Sequence, residues 1–174
     1  MKTDKINYRF FLLVKYFSLY LHFKTNDMIL TEHQQKILNA EICPYCGSGT
    51  IETTETAIYG RSYKNRKMIC CKNFPDCDSY VSTWEDGTAC GRLADVKLRG
   101  SKNIAHKSFD KIWQEGLKTR DELYEDLSIY LRLPPELTHI GMFQAFTCYK
   151  VKDWADKLYF KLKEKEYARK LQNN

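Results

Sequence analysis

The sequence predicts an α+β protein: a small β-hairpin zinc ribbon followed by a helical part of about three helices. Three observations lead there. Cysteines occur as a pair with two residues between them, Cys43 and Cys46, and again as a group, Cys70, Cys71 and Cys77. The segment between them is rich in Thr and Ile, which suit a pleated strand. Beyond residue 91, apolar residues recur at three- and four-residue spacing, the period of a helix with one buried face.

Composition sets the limits. A chain of 174 residues is enough for one compact domain, or a small domain with an appendage. Apolar residues make up 43% and charged residues 29%, the balance of a globular protein rather than a disordered one. Lys and Arg number 28 against 22 Asp and Glu, a formal net charge of +6. That mild excess permits a nucleic-acid partner without requiring one. Seven cysteines are many for this length and odd in number. With two of them in a C-x2-C, metal ligation in a reducing compartment is expected over a disulfide framework, and with it a cytoplasmic location. Collagen repeats, long heptad runs and low-complexity tracts are absent from the sequence.

Residues 1–30 read as an N-terminal extension. The run FFLLVKYFSLYLHF at 10–23 is interrupted by Lys15, Ser18 and His22. It is shorter than the ~20 apolar residues of a membrane span, so no span is expected. The following HFKTND offers no small-residue cleavage site. Two readings stand: a partner-packing amphipathic helix, or an upstream extension, with Met28 rather than Met1 opening the working protein.

Residues 31–90 form the expected metal module. Thr31 with Gln34 reads as a capping box for a short helix. CPYCG then presents two thiolates and a Gly, as in a turn that aims both sulfurs at one ion. A strand is expected over 51–59, a charged turn over 60–66, and a return strand through Met68 and Ile69. The second ligand pair must come from Cys70, Cys71 and Cys77. Cys90 and Cys148 lack ligand spacing and read as small buried hydrophobes.

The knuckle CPYCG, the hairpin and the second knuckle CKNFPDC resemble the zinc ribbons at the C-terminal end of bacterial type IA topoisomerases. That resemblance makes Cys71 the third ligand and Cys77 the fourth. Strand alternation points Cys70 the other way and supports the same choice. The stretches YGRSY, CKNFPDCDSYV, GRLAD, AHKSFDKIW, TRDELYEDL and HIGMF also resemble a zinc-finger domain family of unknown function found in bacteria, phages and prophages. This second resemblance runs from Cys43 to beyond Phe143. It implies a zinc ribbon with a helical domain and supplies no activity.

The hairpin turn carries Arg61, Lys64, Arg66 and Lys67, with Tyr59, Tyr63 and Phe74 nearby. Cations interleaved with rings hold single strands by stacking, at ~1–3 kcal/mol per base. The topoisomerase resemblance implies the same partner. The module as a whole is acidic, with seven Asp and Glu against five Lys and Arg over 41–90. Only its turn is basic.

Residues 91–174 read as the helical region packed on the ribbon. A helix is expected over 93–114, with Leu93, Val96, Ala105, Phe109, Ile112 and Trp113 inward and Gly116 as its C-cap. Thr119 with Glu122 makes a second capping box for a helix through Arg132, with Leu123, Leu127 and Tyr130 inward. Pro134 and Pro135 end it. A long helix is expected over 144–171, with Val151, Trp154, Ala155, Leu158 and Leu162 on one face. His106 and Asp110 lie one helical turn apart and are expected to meet, while His139 falls in a loop.

No nucleophile elbow, phosphate loop or HExxH accompanies these histidines, so no enzyme is expected. Four cysteine ligands would fill the tetrahedron around one structural Zn²⁺ and leave no place for water activation. The expected function is a zinc-binding accessory protein that binds nucleic acid, with single-stranded or distorted DNA favoured, and does no catalysis. The alternative is a protein-interaction adaptor of a phage or prophage acting on a host protein.

Overall fold

The computed structural model describes residues 30–172. The expectations for the apolar run at 10–23 and for the choice between Met1 and Met28 lie outside the described residues. In order, the elements are α1 (Glu32–Leu38), β1 (Thr50–Thr54), α2 (Glu55–Tyr59), β2 (Lys67–Cys71) and β3 (Tyr80–Ser82), then α3 (Val96–Gln114), α4 (Arg120–Leu131) and α5 (Ala145–Gln172). Two 3-10 turns, Pro135–Leu137 and Ile140–Met142, join α4 to α5. The class is α+β. The helical content exceeds the three expected helices, because α1 and α2 flank the sheet and two 3-10 turns interrupt the C-terminal half. Among the described residues no helix is long and apolar enough to cross a membrane.

The sheet is antiparallel, in the order β1-β2-β3. Thr50 opposes Cys71, and Cys70 opposes Ile51 on one side and Tyr80 on the other. The strand expected over 51–59 stops at Thr54. The Thr54 side chain accepts from Ala57 N–H and caps α2. A Thr hydroxyl satisfies the free amides of a helix start, so the chain turns helical where β-propensity alone would continue it. Glu55 then locks the return. Its buried carboxylate accepts from the backbone N–H groups of Tyr63 (2.9 Å) and Lys64 (2.8 Å) and from the Ser62 hydroxyl (3.3 Å).

The helical core is built as expected around Ala105, Phe109 and Ile112 of α3, Leu123 and Leu127 of α4, and Val151 and Ala155 of α5. Three of the residues expected inward differ. Asp95 caps α3 by accepting from Leu98 N–H, so the helix starts three residues later than expected. That start leaves Val96 exposed and turns Leu98 inward, while Leu93 packs in the ribbon with Cys43 and Cys71. Tyr130 stays half exposed, its ring stacked on Trp154 (centroids 5.6 Å). The Thr119–Glu122 capping box forms in full.

The ribbon is tied to α3 by specific contacts. Tyr80 and Ala94 exchange backbone hydrogen bonds. The Arg99 guanidinium lies 3.8 Å from the centre of the Tyr80 ring, pairs with Asp78 (2.8 Å) and donates to the Ala94 carbonyl (2.7 Å).

Candidate metal centre and hairpin tip

Each half of the cysteine cluster is set by local backbone. In the first knuckle Cys43 N–H donates to Ser48 O (2.8 Å) and Gly47 N–H donates to Cys43 O (2.9 Å). Gly47 has φ +74, in the left-handed region where a side chain is strained, so the turn needs a glycine there. In the second knuckle Cys77 N–H donates to Asn73 O and Phe74 N–H to Cys71 O. β2 pairing places Cys71 at the edge of this turn.

The sulfurs of Cys43, Cys46, Cys71 and Cys77 all lie within 4.8 Å of one another. Cys46 and Cys71 are 3.3 Å apart and Cys43 and Cys77 are 3.6 Å apart, with every cysteine free. A zinc tetrahedron with Zn–S bonds of ~2.3 Å has sulfur–sulfur edges of about 3.8 Å. The donor set therefore fits one such ion. Its charge logic fits as well. The Ser48 backbone N–H, then the Ser48 hydroxyl, pulls Cys46 down to about 6, whereas burial pushes the Cys71 thiol up to about 12. Held this close, the four sulfurs could all ionise only with a cation among them.

Polar neighbours complete the cluster, and spacing alone gave no sign of them. Asn73 N–H points at Cys71 Sγ (3.4 Å), and Asn73 Nδ2 lies 3.7 Å from Cys46 Sγ and donates to the Ser48 hydroxyl (3.0 Å). The Ser79 hydroxyl, fully buried, lies 3.1 Å from Cys43 Sγ and 3.6 Å from Cys77 Sγ. Such outer contacts orient metal-binding sulfurs. The one sequence signal was their place inside or just after a knuckle.

Cys70 stays out of the cluster. It is buried with Met68 and Tyr80 on the opposite sheet face, and burial raises its thiol. Cys90 is partly exposed, and Cys148 is buried in the helical core.

At the hairpin tip, Tyr59 meets Tyr63 (5.9 Å) and Tyr80 (5.6 Å) edge to face, and Phe74 meets Tyr80 in the same way (6.2 Å). Tyr63 is 60% exposed and Tyr59 44%, so each offers ring surface, while Phe74 is half-buried. Arg61 lies over Tyr63 (4.7 Å) and donates to its hydroxyl (2.6 Å). Lys64 and Arg66 are exposed, and Lys67 pairs with Glu52 (3.6 Å). The tip thus gathers Tyr59, Arg61, Tyr63, Lys64 and Arg66, with Phe74 behind them and Lys67 partly neutralised.

His106 Nδ1 meets Asp110 Oδ2 at 3.2 Å, as expected from their spacing. His139 caps a 3-10 turn, its Nδ1 accepting from Gly141 N–H (3.1 Å). Neither histidine is part of the sulfur cluster.

No curated protein and no solved structure matches the chain. The model of a zinc-finger-containing domain family matches residues 39–157, which hold the whole sulfur cluster and most of the helical core. Family and cluster together support zinc binding, and over that span the chain belongs to this zinc-finger-containing domain family.

Proposed function

We propose that the protein is a non-catalytic accessory factor that binds nucleic acid through its hairpin tip, favouring single-stranded or distorted DNA, and that one structural Zn²⁺ on Cys43, Cys46, Cys71 and Cys77 holds the tip in place. The observation that carries this reading is the tip itself: the exposed rings of Tyr59 and Tyr63 interleaved with Arg61, Lys64 and Arg66 and braced by Glu55. Bases stack on such rings while the cations meet phosphates. The resemblance of the two knuckles to topoisomerase ribbons supports the same partner. With all four tetrahedral positions filled by sulfur, the ion serves folding, since a stretch this small needs it to hold a fold.

The test is fluorescence anisotropy of a labelled single strand titrated with the zinc-loaded full chain at two salt concentrations, with duplex as comparison. Binding should prefer the single strand and weaken with salt. Replacing Arg61, Lys64, Arg66 and Lys67 with Ala should abolish it. Absence of binding at low salt would sink the reading.

A second reading, an adaptor that binds another protein, is favoured by α5. Its Phe146, Phe160, Tyr167 and Leu171 are all exposed. Apolar side chains along the exposed face of one helix suit a protein partner. Under that reading an affinity capture recovers one defined protein, and the α5 aromatics rather than the tip cations are needed for it.

A further inference from the structure

The long helix α5 sorts its cations into two sets. One set is held. Lys152 pairs with Asp153 (3.3 Å) and Asp156 (3.1 Å), and Lys163 pairs with Glu115 (3.0 Å) and Glu166 (3.3 Å). Lys170 pairs with Glu166 (2.8 Å), and Lys150 lies over the Phe146 ring (4.7 Å). The other set is Lys157, Lys161, Lys165 and Arg169. All of these are exposed, and none has an ion pair, hydrogen bond or ring contact among the described residues.

The unpaired cations recur at every fourth position of one continuous helix, so they form a single row along its surface. Lys157 neighbours Lys161, Lys161 neighbours Lys165, and Lys165 neighbours Arg169. Like charges at this spacing destabilise a helix. Elsewhere the chain puts opposite charges at the same spacing, as in Glu32 with Lys36, Lys152 with Asp156 and Glu166 with Lys170. Glu164 is the one acidic residue of α5 outside an ion pair, and it stands beside the row next to Lys165. It leaves the row with an excess of positive charge. The helix dipole does not account for the row either. It favours cations in the last turn, and Lys157 and Lys161 lie well before the end at Gln172. An anion laid along the row relieves the repulsion.

We propose that Lys157, Lys161, Lys165 and Arg169 form a docking row for the sugar–phosphate backbone of a nucleic-acid strand. The row spans ~18 Å of helix at 1.5 Å per residue. One strand of a duplex carries a phosphate every ~3.4 Å of axis, so about five phosphates run beside the row. Lys and Arg are the residues that meet phosphates, whereas the core of a protein interface is depleted of Lys. Each step of four residues turns the row by ~40° about the helix, so a flat membrane meets only part of it. A strand crossing the helix obliquely follows all of it. The row is a separate surface from the hairpin tip and adds phosphate contacts for the same class of partner.

The experiment titrates the zinc-loaded full chain into a labelled single-stranded oligonucleotide and reads anisotropy over a series of salt concentrations. Gln at Lys157, Lys161, Lys165 and Arg169 should lower the slope of log affinity against log salt by about 3, at about 0.7 per lost phosphate contact. Gln keeps a helix propensity close to that of Lys and Arg, so α5 persists, which circular dichroism checks. The ion-paired Lys152, Lys163 and Lys170 lie across the helix from the row, by the ~100° turn per residue. Gln at those three should leave the slope nearly unchanged, which separates the row from net charge. Lysine acylation mapped by mass spectrometry gives a second reading. The bound strand should shield Lys157, Lys161 and Lys165 and leave Lys152 and Lys170 as reactive as before. Phosphatidylserine vesicles and polyglutamate stand in for the other occupants, and equal shielding of the row by either overturns the assignment. A slope that the row variant leaves unchanged, or row lysines that the strand does not shield, overturns the row whatever the tip does. Binding that survives alanine at Arg61, Lys64, Arg66 and Lys67 but loses slope in the row variant keeps the row and sinks the tip.

Discussion

Gly91 and Gly141 meet backbone to backbone, so closely that a Cβ on either would overlap the main chain of the facing segment. The Gly141 carbonyl oxygen accepts from Arg92 N–H (3.2 Å) and from Lys102 Nζ (2.7 Å). This is where the end of the ribbon meets the turn that leads into α5. Gly91 also has φ +150, so a side chain there would be strained even with space. Overpacking of this kind costs about 1–3 kcal/mol. Gly141→Ala and Gly91→Ala should each lower the unfolding free energy from urea titration by that much, whereas Gly100→Ala, with open space around it, should not lower it.

Adjacent cysteines should behave as opposites. Cys71→Ser should lose bound zinc and unfold the ribbon, since the ion's binding energy is folding energy there. Cys70→Ala should keep one zinc per chain and lose only about 1–2 kcal/mol for its buried thiol. Metal content by elemental analysis, together with near-ultraviolet circular dichroism, checks both. A Cys70→Ala protein without zinc would show that the ligand set is wrong.

Removing Glu55 should loosen the tip without unfolding the molecule. The carboxylate lies below its usual range, chiefly because Lys64 N–H donates to it. Glu55→Ala leaves the amides of Tyr63 and Lys64 without their acceptor. Amide exchange at residues 63 and 64 should accelerate, while the helical core keeps its protection.

His139 should make stability depend on pH on the acid side. Burial, and after it the charges of His106, Arg120 and Lys102, holds its imidazole below the ordinary value of 6.5. In the window beneath 6.5 the unfolded chain therefore binds the proton that the folded chain refuses. Stability falls as pH drops from 6.5 towards the folded value, then stops falling on this account. His139→Gln should flatten that part of the curve measured by urea titration at successive pH values. An unchanged slope would show that the neighbouring groups, not His139, set it.

The parts of the molecule legible in sequence are those whose cause is local. The Thr119–Glu122 capping box and the inward stripe of Phe109, Ile112, Leu123 and Val151 follow from spacing of two to four residues, whereas the choice of Cys71 over Cys70 came from the resemblance of the knuckles, with strand alternation in support. What escaped depends on partners distant in the chain or on competing local bonds. The strand expected to reach Tyr59 ends because one Thr54 hydroxyl caps a helix, a contest that propensity does not decide. Ser79 and Asn73 reach the sulfurs only once both knuckles face each other. Lys102 reads as one more solvated lysine until folding closes Gly141 and Arg92 around it.

The neighbouring thiols of β2 carry one further consequence. To an incoming ion Cys70 and Cys71 are chemically the same ligand, one residue apart. What separates them is the pairing of β2 with Thr50 and Ile51 on one side and Tyr80 on the other. A slip of one residue would exchange the two faces of β2, delivering Cys70 to the knuckle and turning Cys71 towards Tyr80. The hairpin therefore acts as a gauge: its alignment, more than the affinity of any single sulfur, decides which thiol the metal takes, and a chain metallated before that alignment is fixed would trap the wrong sheet.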